Sequence, residues 1–447
     1  MSHTHIVLTR RDKLPENLSV SVPYSKSISN RLLIIKHLSG SQAEIKNLSS
    51  SDDTVLLQYC LNSVSEKKEN SFYCKNAGTT LRFLIALLSV TDGKWILNAD
   101  KRMQKRPLLP LIDILNNLGA DIKIKNEKEI FPITVNGKEL SGNKTIEVKE
   151  NLTSQLISAL LLISPYIKGG INLILPQNQT SMPYIDMTIE LVNRYGGNVK
   201  KTNNTLICKQ SAYCYKETEI EADWSSTAFF YTFVSVGKIK NLRIENLQKS
   251  SLQGDSVCKD FFSLLGVDTK FDSHGALLSY NTTSAALNSQ YEFDLNNFPD
   301  LFCPLVTACY FSGKKSVLKN LQSLRVKESD RLKNMLNELN KLQKRCFSDQ
   351  NNAFIKPLDT KGFTNQPYYF TNQPDYFINQ PDYFHGKPSY DFVRLKTYDD
   401  HRMAMALSAA AFICKHTSIE NPACTAKSFP DFWQQTEQFF FEQQKFC

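Results

Sequence analysis

The segment RVKESDR, Arg325 to Arg331, sets five charged side chains into seven residues and then runs into LKNMLNELNKL. Taken alone it is a helix start on a solvated face. Glu328 and Asp330 complement the positive end of a helix dipole, and charge pairs one turn apart decorate exposed helices. Basic residues elsewhere favour a different reading. Lys26 and Arg31 in YSKSISNR, and Arg402 in YDDHRMAMA, stand at the starts of apolar helical segments, where a cation opposes the dipole. A bound anion removes that conflict. Arg102 and Arg106 in DKRMQKRP, Lys327 and Arg331 in the opening segment, and Lys427 in CTAKSFPDF supply further cations from loops. Capping accounts for Ser27, Thr79, Thr153 and Ser154 one at a time, yet free N–H groups at a helix start also suit phosphate and carboxylate. Gathered together, these residues would neutralise two polyanions, with arginines making paired contacts to carboxylate or phosphate.

Such a gathering requires elements that bring distant segments to one place. Six apolar segments of helical length recur along the chain: SKSISNRLLIIKHL, AGTTLRFLIALLSV, TSQLISALLLIS, WSSTAFFYTFVSV, PDLFCPLVTACYF and DDHRMAMALSAAAF. They are apolar on nearly every side, which implies helices buried between layers. Six amphipathic segments alternate with them, from SDDTVLLQYCLNS to FPDFWQQTEQFF. Several end in Gly and lead into alternating strand-like residues such as ADIKIK. The unit is roughly seventy residues long and occurs about six times, which sets the architecture before any single motif does. The reading is an α/β protein of two domains with three units each, buried helices inside and sheets outside.

Composition narrows the class. A chain of 447 residues exceeds what one core usually supports. Hydrophobic residues at 41% and charged residues at 22% describe a soluble globular protein. The net charge of +9 is a mild excess over this length; it permits acidic substrates as readily as nucleic acid, and no Lys/Arg-rich tail marks a nucleic-acid arm. Eleven cysteines without CxxC or metal-type spacing suit a reduced, cytoplasmic setting. Neither a signal peptide nor a membrane span is expected. TNQPYYF, TNQPDYF and INQPDYF form a tandem repeat at about 364–384; Pro in each copy excludes a regular helix or central strand, so a low-complexity insertion between strands is expected.

The series YSKSISNR, KNAGTTLRF, KRMQKRP, TSQLISALL, SMPYIDMT, QGD, NNFPD, RVKESDR, YDDHRMAMA and CTAKSFPDF resembles, in order and over almost the whole chain, the motifs of the 5-enolpyruvylshikimate-3-phosphate (EPSP) synthase family of 3-phosphoshikimate 1-carboxyvinyltransferases. The resemblance implies the two-domain enolpyruvyl transferase fold, each domain made of three βαβαββ-like units. Residues 25–221 would form one domain, and residues 1–24 with 222–447 the other. It implies transfer of the enolpyruvyl group of phosphoenolpyruvate to the 5-hydroxyl of shikimate 3-phosphate, with release of phosphate, in aromatic amino-acid biosynthesis. No metal or organic cofactor, no nucleic acid and no membrane are expected, and the protein is expected to be a monomer.

By the same resemblance, shikimate 3-phosphate would contact Lys26, Ser27, Arg31, Thr153, Ser154, Gln155, Ser181, Asp300, Ser323 and Lys327. Phosphoenolpyruvate would contact Gly78, Arg106, Gln155, Arg331, Arg402 and Lys427, and share Lys26. Asp300 would take the proton of the attacking hydroxyl, and Glu328, assisted by Lys327, would serve the methylene carbon; Lys26 joins them as the third catalytic residue. Gly78 leaves room beside phosphoenolpyruvate, which implies glyphosate sensitivity. Two positions depart from the family pattern: Thr153 replaces Ser and keeps the hydroxyl, while Ser323 replaces a longer Asn. A sister transferase acting on UDP-N-acetylglucosamine shares the architecture but usually presents a cysteine in the loop that reads DKRMQKRP here. A non-catalytic anion-binding protein is the reading of a different class, opposed by Lys26, Asp300, Glu328 and Lys427 occurring together.

Overall fold

The computed structural model describes residues 5–149, 153–283, 290–356 and 392–445, and the tandem repeat at 364–384 lies outside them. In chain order the repeating helices are Lys26–Ser39 (α1), Asp52–Ser65 (α2), Gly78–Ser89 (α3), Leu109–Asn117 (α4), Ser154–Ile163 (α5), Met182–Arg194 (α6), Trp224–Gly237 (α7), Cys258–Leu264 (α8), Phe302–Ser312 (α9), Arg331–Leu339 (α10), His401–Leu407 (α11) and Phe432–Thr436 (α12). The odd-numbered helices are the apolar set and the even-numbered ones the amphipathic set. Helices α1, α3 and α5 pack on one another, as do α7, α9 and α11. Each trio buries its side chains almost all round, as apolar faces without a polar stripe require.

The sheets repeat one topology. Around α3 and α4, Ser71–Tyr73 pairs parallel with Gly93–Asn98, which pairs antiparallel with Ile133–Gly137, itself antiparallel to Asp121–Lys123. Four further four-stranded sheets have the same order of one parallel and two antiparallel pairings. In two of them the N-terminal segment supplies a strand: Leu18–Ser21 lies beside Leu242–Glu245, and His5–Arg10 fits between His416–Glu420 and Phe440–Lys445. The unit of α1 and α2 differs from the expected repeat. Its described sheet is the parallel pair of Ile45–Lys46 with Thr218–Glu219. Only Glu66–Asn70, five polar residues, separate α2 from the next strand, too few for a hairpin.

The buried apolar residues form two cores. One gathers side chains from Ile28 to Ile220; the other gathers Ile6 to Val22 and Ala222 to Phe440. The chain passes between them twice, and the two passages lie side by side. Ser25 N donates to Glu221 O (2.9 Å), and Asp223 N donates to Pro23 O (2.8 Å). Ser25 and Asp223 then cap α1 and α7 through Ile28 N and Ser226 N. These two helices therefore start at the seam between the cores, with their free N–H groups directed there.

Candidate active site

Helix starts and loops from both cores meet at this seam. The first core contributes Lys26 and Ser27 from α1, Gly78 from α3, and Ser154 and Gln155 from α5. Thr153 caps α5 by accepting from Gln155 N (3.2 Å). Ser181 precedes α6 in a left-handed conformation (φ 58°) and reaches across the seam, its N–H donating to Asn296 O (3.0 Å). Arg106 follows the short turn Lys101–Lys105. The second core contributes Asp300 from the turn Pro299–Leu301, Ser323 from the turn Gln322–Val326, Lys327 and Glu328 just before α10, Arg331 and Arg402 opening α10 and α11, and Lys427 ending the turn Pro422–Lys427. Contacts across the seam tie Arg106 to Glu328, Ser181 to Asn296 and Lys427 to Asn76, the last pair 351 positions apart; Ser27, Thr153, Ser154 and Ser323 make no side-chain hydrogen bond across it among the described residues.

Glu328 is at the centre. Its Oε1 accepts from Lys427 Nζ (3.1 Å) and faces Arg106 Nη1 at 3.9 Å, while Oε2 accepts from Arg331 Nη2 (2.9 Å). Lys427 Nζ also donates to Asn76 O (2.9 Å), so one ammonium joins the two cores. Burial pushes the Glu328 carboxyl up, but Lys427, Arg106 and Arg331 outweigh it and hold the group well below the usual carboxylate range. Asp300 accepts from Arg402 Nη2 (2.8 Å), Tyr184 O–H (3.0 Å) and Arg331 Nη1 (3.4 Å). Here too burial acts upward and is overcome, by Arg402, Lys327 and Arg331, so Asp300 is also depressed. Burial pulls the Lys327 ammonium below its ordinary value, against the pull of Asp300.

Some placements were not legible in the residue list. Arg31 is 3% exposed and turned into its own core. Its Nε donates to Thr188 Oγ1 (2.7 Å), Nη1 to Ser27 O (2.7 Å), and Nη2 to Ser158 Oγ (3.0 Å) and Tyr184 O (3.2 Å). A guanidinium has five N–H donors, so one Nη1 donor is left for a ligand. Arg331 is 1% exposed and forked onto Asp400, with Nε to Oδ2 at 2.9 Å and Nη2 to Oδ1 at 3.3 Å. Lys26 Nζ donates to Asp53 (3.3 Å). Arg82 is buried and donates to Gly78 O (3.0 Å), Gln155 Oε1 (2.9 Å) and Pro107 O (3.2 Å), fixing three parts of the seam at once. A Cβ added at Gly78 would lie 2.4 Å from Arg106 Nη1. The space that Gly78 provides is occupied by the Arg106 guanidinium.

Asp53, Asp400, Tyr184 and Asp255 carry no role in the sequence reading, although QGD and YDDHR mark two of them. His401 is buried, and neither ring nitrogen has a hydrogen-bond partner among the described residues, Nδ1 lying 4.0 Å from Asp400 Oδ1. Burial, reinforced by Lys26 and Arg402, holds its imidazole well below the ordinary value and therefore neutral. Among the described residues, no helix is long and apolar enough to cross a membrane, and no group of three or more His, Cys, Asp or Glu could hold a metal ion. The ten described cysteines are free thiols.

Comparison with known proteins places the chain in a family. The model of the EPSP synthase (3-phosphoshikimate 1-carboxyvinyltransferase) family matches residues 54–436. The chain is 33% identical over 417 residues to a 3-phosphoshikimate 1-carboxyvinyltransferase of Bacteroides fragilis (strain YCH46), covering 93% of each chain. It is 28% identical over 449 residues to one from Colwellia psychrerythraea, covering 94% of this chain and 96% of the relative. Its fold is similar to a solved structure of EPSP synthase from Acinetobacter baumannii, with a TM-score of 0.73 and 18% identity over 99% of this chain and 100% of that one. Two cores built from one repeated unit, a seam of cations around two buried carboxylates, and these matches together establish that the chain belongs to the EPSP synthase (3-phosphoshikimate 1-carboxyvinyltransferase) family.

Proposed function

We propose that the seam is where the enolpyruvyl group of phosphoenolpyruvate is transferred to the 5-hydroxyl of shikimate 3-phosphate, with release of phosphate. The observation that carries this reading is the clasp on Glu328. Lys427 and Arg331 on one side and Arg106 on the other surround one carboxylate, and Asp300 stands beside it on the shared Arg331. The two cores are read as two domains, residues 25–221 and residues 1–24 with 222–447, that close on the substrates.

Each substrate carries a carboxylate and a phosphate near −2, so together they bring about six negative charges. Shikimate 3-phosphate takes Lys26, Ser27, the remaining N–H of Arg31, Thr153, Ser154, Gln155 and Ser181, with Ser323 and Lys327 on the far side. Phosphoenolpyruvate takes Arg106, Arg331, Arg402 and Lys427 against Gly78 and Gln155, and Lys26 bridges the pair. In the structure Arg106, Arg331, Arg402 and Lys427 pair with Asp300 or Glu328, and Lys26 pairs with Asp53. Anionic substrates compete for them, which raises both carboxyl groups toward useful values. Asp300 then takes the hydroxyl proton as the oxygen bonds to C2, and Glu328 gives a proton to C3. In the second half Glu328 takes a C3 proton back while the C2–O bond to phosphate breaks. The fixed cations stabilise the charge that moves onto the leaving phosphate. The protein is read as a cytoplasmic monomer, and its mostly buried free thiols suit a reduced compartment.

The test is phosphate release by purified protein given phosphoenolpyruvate with shikimate 3-phosphate. Release with this pair is expected, and turnover with UDP-N-acetylglucosamine instead would identify the sister reaction. A second expected result concerns Gly78→Ala. Its methyl group displaces the Arg106 guanidinium, a flexible side chain, so the KM for phosphoenolpyruvate rises about tenfold, or about 1.4 kcal/mol of binding. The KM for shikimate 3-phosphate stays near its original value. Steady-state titration of each substrate reads the difference.

A further inference from the structure

Tyr184 of α6 stands between two carboxylates of the other core. Its O–H lies 3.0 Å from Asp300 Oδ2 and 3.2 Å from Asp255 Oδ2. One phenol carries one proton and cannot donate fully to both. The two carboxylates share that proton, and the one less well paired elsewhere is left poised to take up another. Asp300 faces Arg402 and Arg331, which favour its ionised form. Asp255 is 2% exposed, and its Oδ1 has no hydrogen-bond partner among the described residues, so of the two carboxylates it is the one poised to take up a proton. The groups facing Asp255 are Tyr184, Asp300, Arg402 of α11, Asp223 and Ser225 at the start of α7, and Cys258 of α8. Burial and the Asp300 charge outweigh Ser225 and Arg402 there and push the Asp255 carboxyl up to about 6. The Tyr184 phenol is raised well above its ordinary value by burial and by Asp255 and Asp300, so it passes protons without ionising.

We propose that Tyr184 and Asp255 carry the substrate proton away from Asp300 along the line Asp300–Tyr184–Asp255, whose three oxygens are already in hydrogen-bond order. This rests on the reading of Asp300 as the base. The steps balance. Asp300 Oδ2 bonds the proton released by the hydroxyl; that proton then moves to the Tyr184 oxygen as the phenol's own proton moves to Asp255 Oδ2. Asp300 is restored as a carboxylate, Tyr184 as a phenol, and Asp255 becomes the acid. Asp255 Oδ2 also touches Ser225 Oγ, a residue partly open to solvent, which gives the proton its way out. Tyr184 and Asp255 are in this sense positioning residues that keep Asp300 ready for each turnover.

The experiment measures kcat and KM for wild type, Tyr184→Phe, Asp255→Asn and Asp300→Asn between about pH 5 and about pH 9. The substrate phosphates titrate near pH 6 themselves, so the reading is the ratio of wild-type to variant kcat, in which that titration cancels. At about pH 8 the ratio is expected to be about ten for Tyr184→Phe and Asp255→Asn, with KM within about twofold. Below about pH 6 wild-type Asp255 is already protonated and cannot accept, so both ratios fall toward one. A ratio constant across pH, or a raised KM at unchanged kcat, overturns the relay and leaves only a structural role. Asp300→Asn separates the two readings. If it turns over normally, the base assignment falls; if it is inactive while the other ratios stay flat, only the relay falls. Should Asp255→Asn fold poorly by circular dichroism, Tyr184→Phe, which removes one oxygen atom, carries the test alone.

Discussion

Glu328→Gln is expected to slow turnover by about a thousandfold while leaving both substrates bound, since loss of a positioned acid–base group typically costs 10²–10⁴ in rate. The amide keeps the shape of the side chain, and its one oxygen still accepts from Lys427 or Arg331, while its –NH2 faces the other cation, so half of the clasp at 3.1 Å and 2.9 Å is preserved. It can neither give a proton to C3 nor take one back. Both halves of the addition–elimination stall at once. Equilibrium binding of shikimate 3-phosphate and rapid-quench measurement of enolpyruvyl transfer check the two parts separately. Weakened binding at normal turnover would make Glu328 a ligand anchor instead.

The second large effect is on stability. Arg331→Met should cost about 3–5 kcal/mol, because it strips the partner from a carboxylate that is completely buried. Asp400 is 0% exposed and takes two N–H donors from Arg331. Its other side-chain hydrogen bonds among the described residues are to the backbone N–H of Arg402 (3.0 Å) and, at a long 3.5 Å, to Ser329, with the neutral His401 ring 4.0 Å away. Methionine fills the volume without replacing the charge. Denaturant unfolding of the variant checks the loss, and adding Asp400→Asn should recover part of it by removing the stranded charge. An unfolding midpoint unchanged by Arg331→Met would mean that Asp400 does not depend on the pair. The pH dependence has a definite sign. Glu328 and Asp300 have folded values below their unfolded ones, so the stability they add is fully present above about pH 4, near the ordinary carboxylate value. It is lost as pH falls through the depressed folded values.

Much of this arrangement can be read from residue types, and the limit is physical. The odd helices are visible because a helix buried on every side has no polar face to hide its period; TSQLISALLLIS allows little else. Lys26, Arg31 and Arg402 stand out because cations at helix starts need an explanation, whereas Lys427 is one loop cation among several. Pairing is the part that a one-dimensional list conceals. Arg31 and Arg331 look alike as free cations in the sequence, yet one is spent on Ser27, Ser158, Thr188 and Tyr184 and the other on Asp400. Nothing in the spacing says that Asp400, sixty-nine positions from Arg331, is its counter-ion. Tyr184 and Asp255 become partners only when the start of α6 meets the other core at the seam. The missing hairpin after α2 was readable from Glu66–Asn70, where the expectation of six equal units concealed it.

The most direct measurement is a crystal structure of the protein with shikimate 3-phosphate and an unreactive phosphoenolpyruvate analogue. The expected result is both ligands in the seam, with Lys26 touching the two of them and Arg106, Arg402 and Lys427 on the analogue's carboxylate and phosphate. Glu328 would then stand beside the methylene carbon, and Asp300 within reach of the 5-hydroxyl. Ligands bound elsewhere, with Lys427 still on Glu328 and Arg402 still on Asp300, would contradict it.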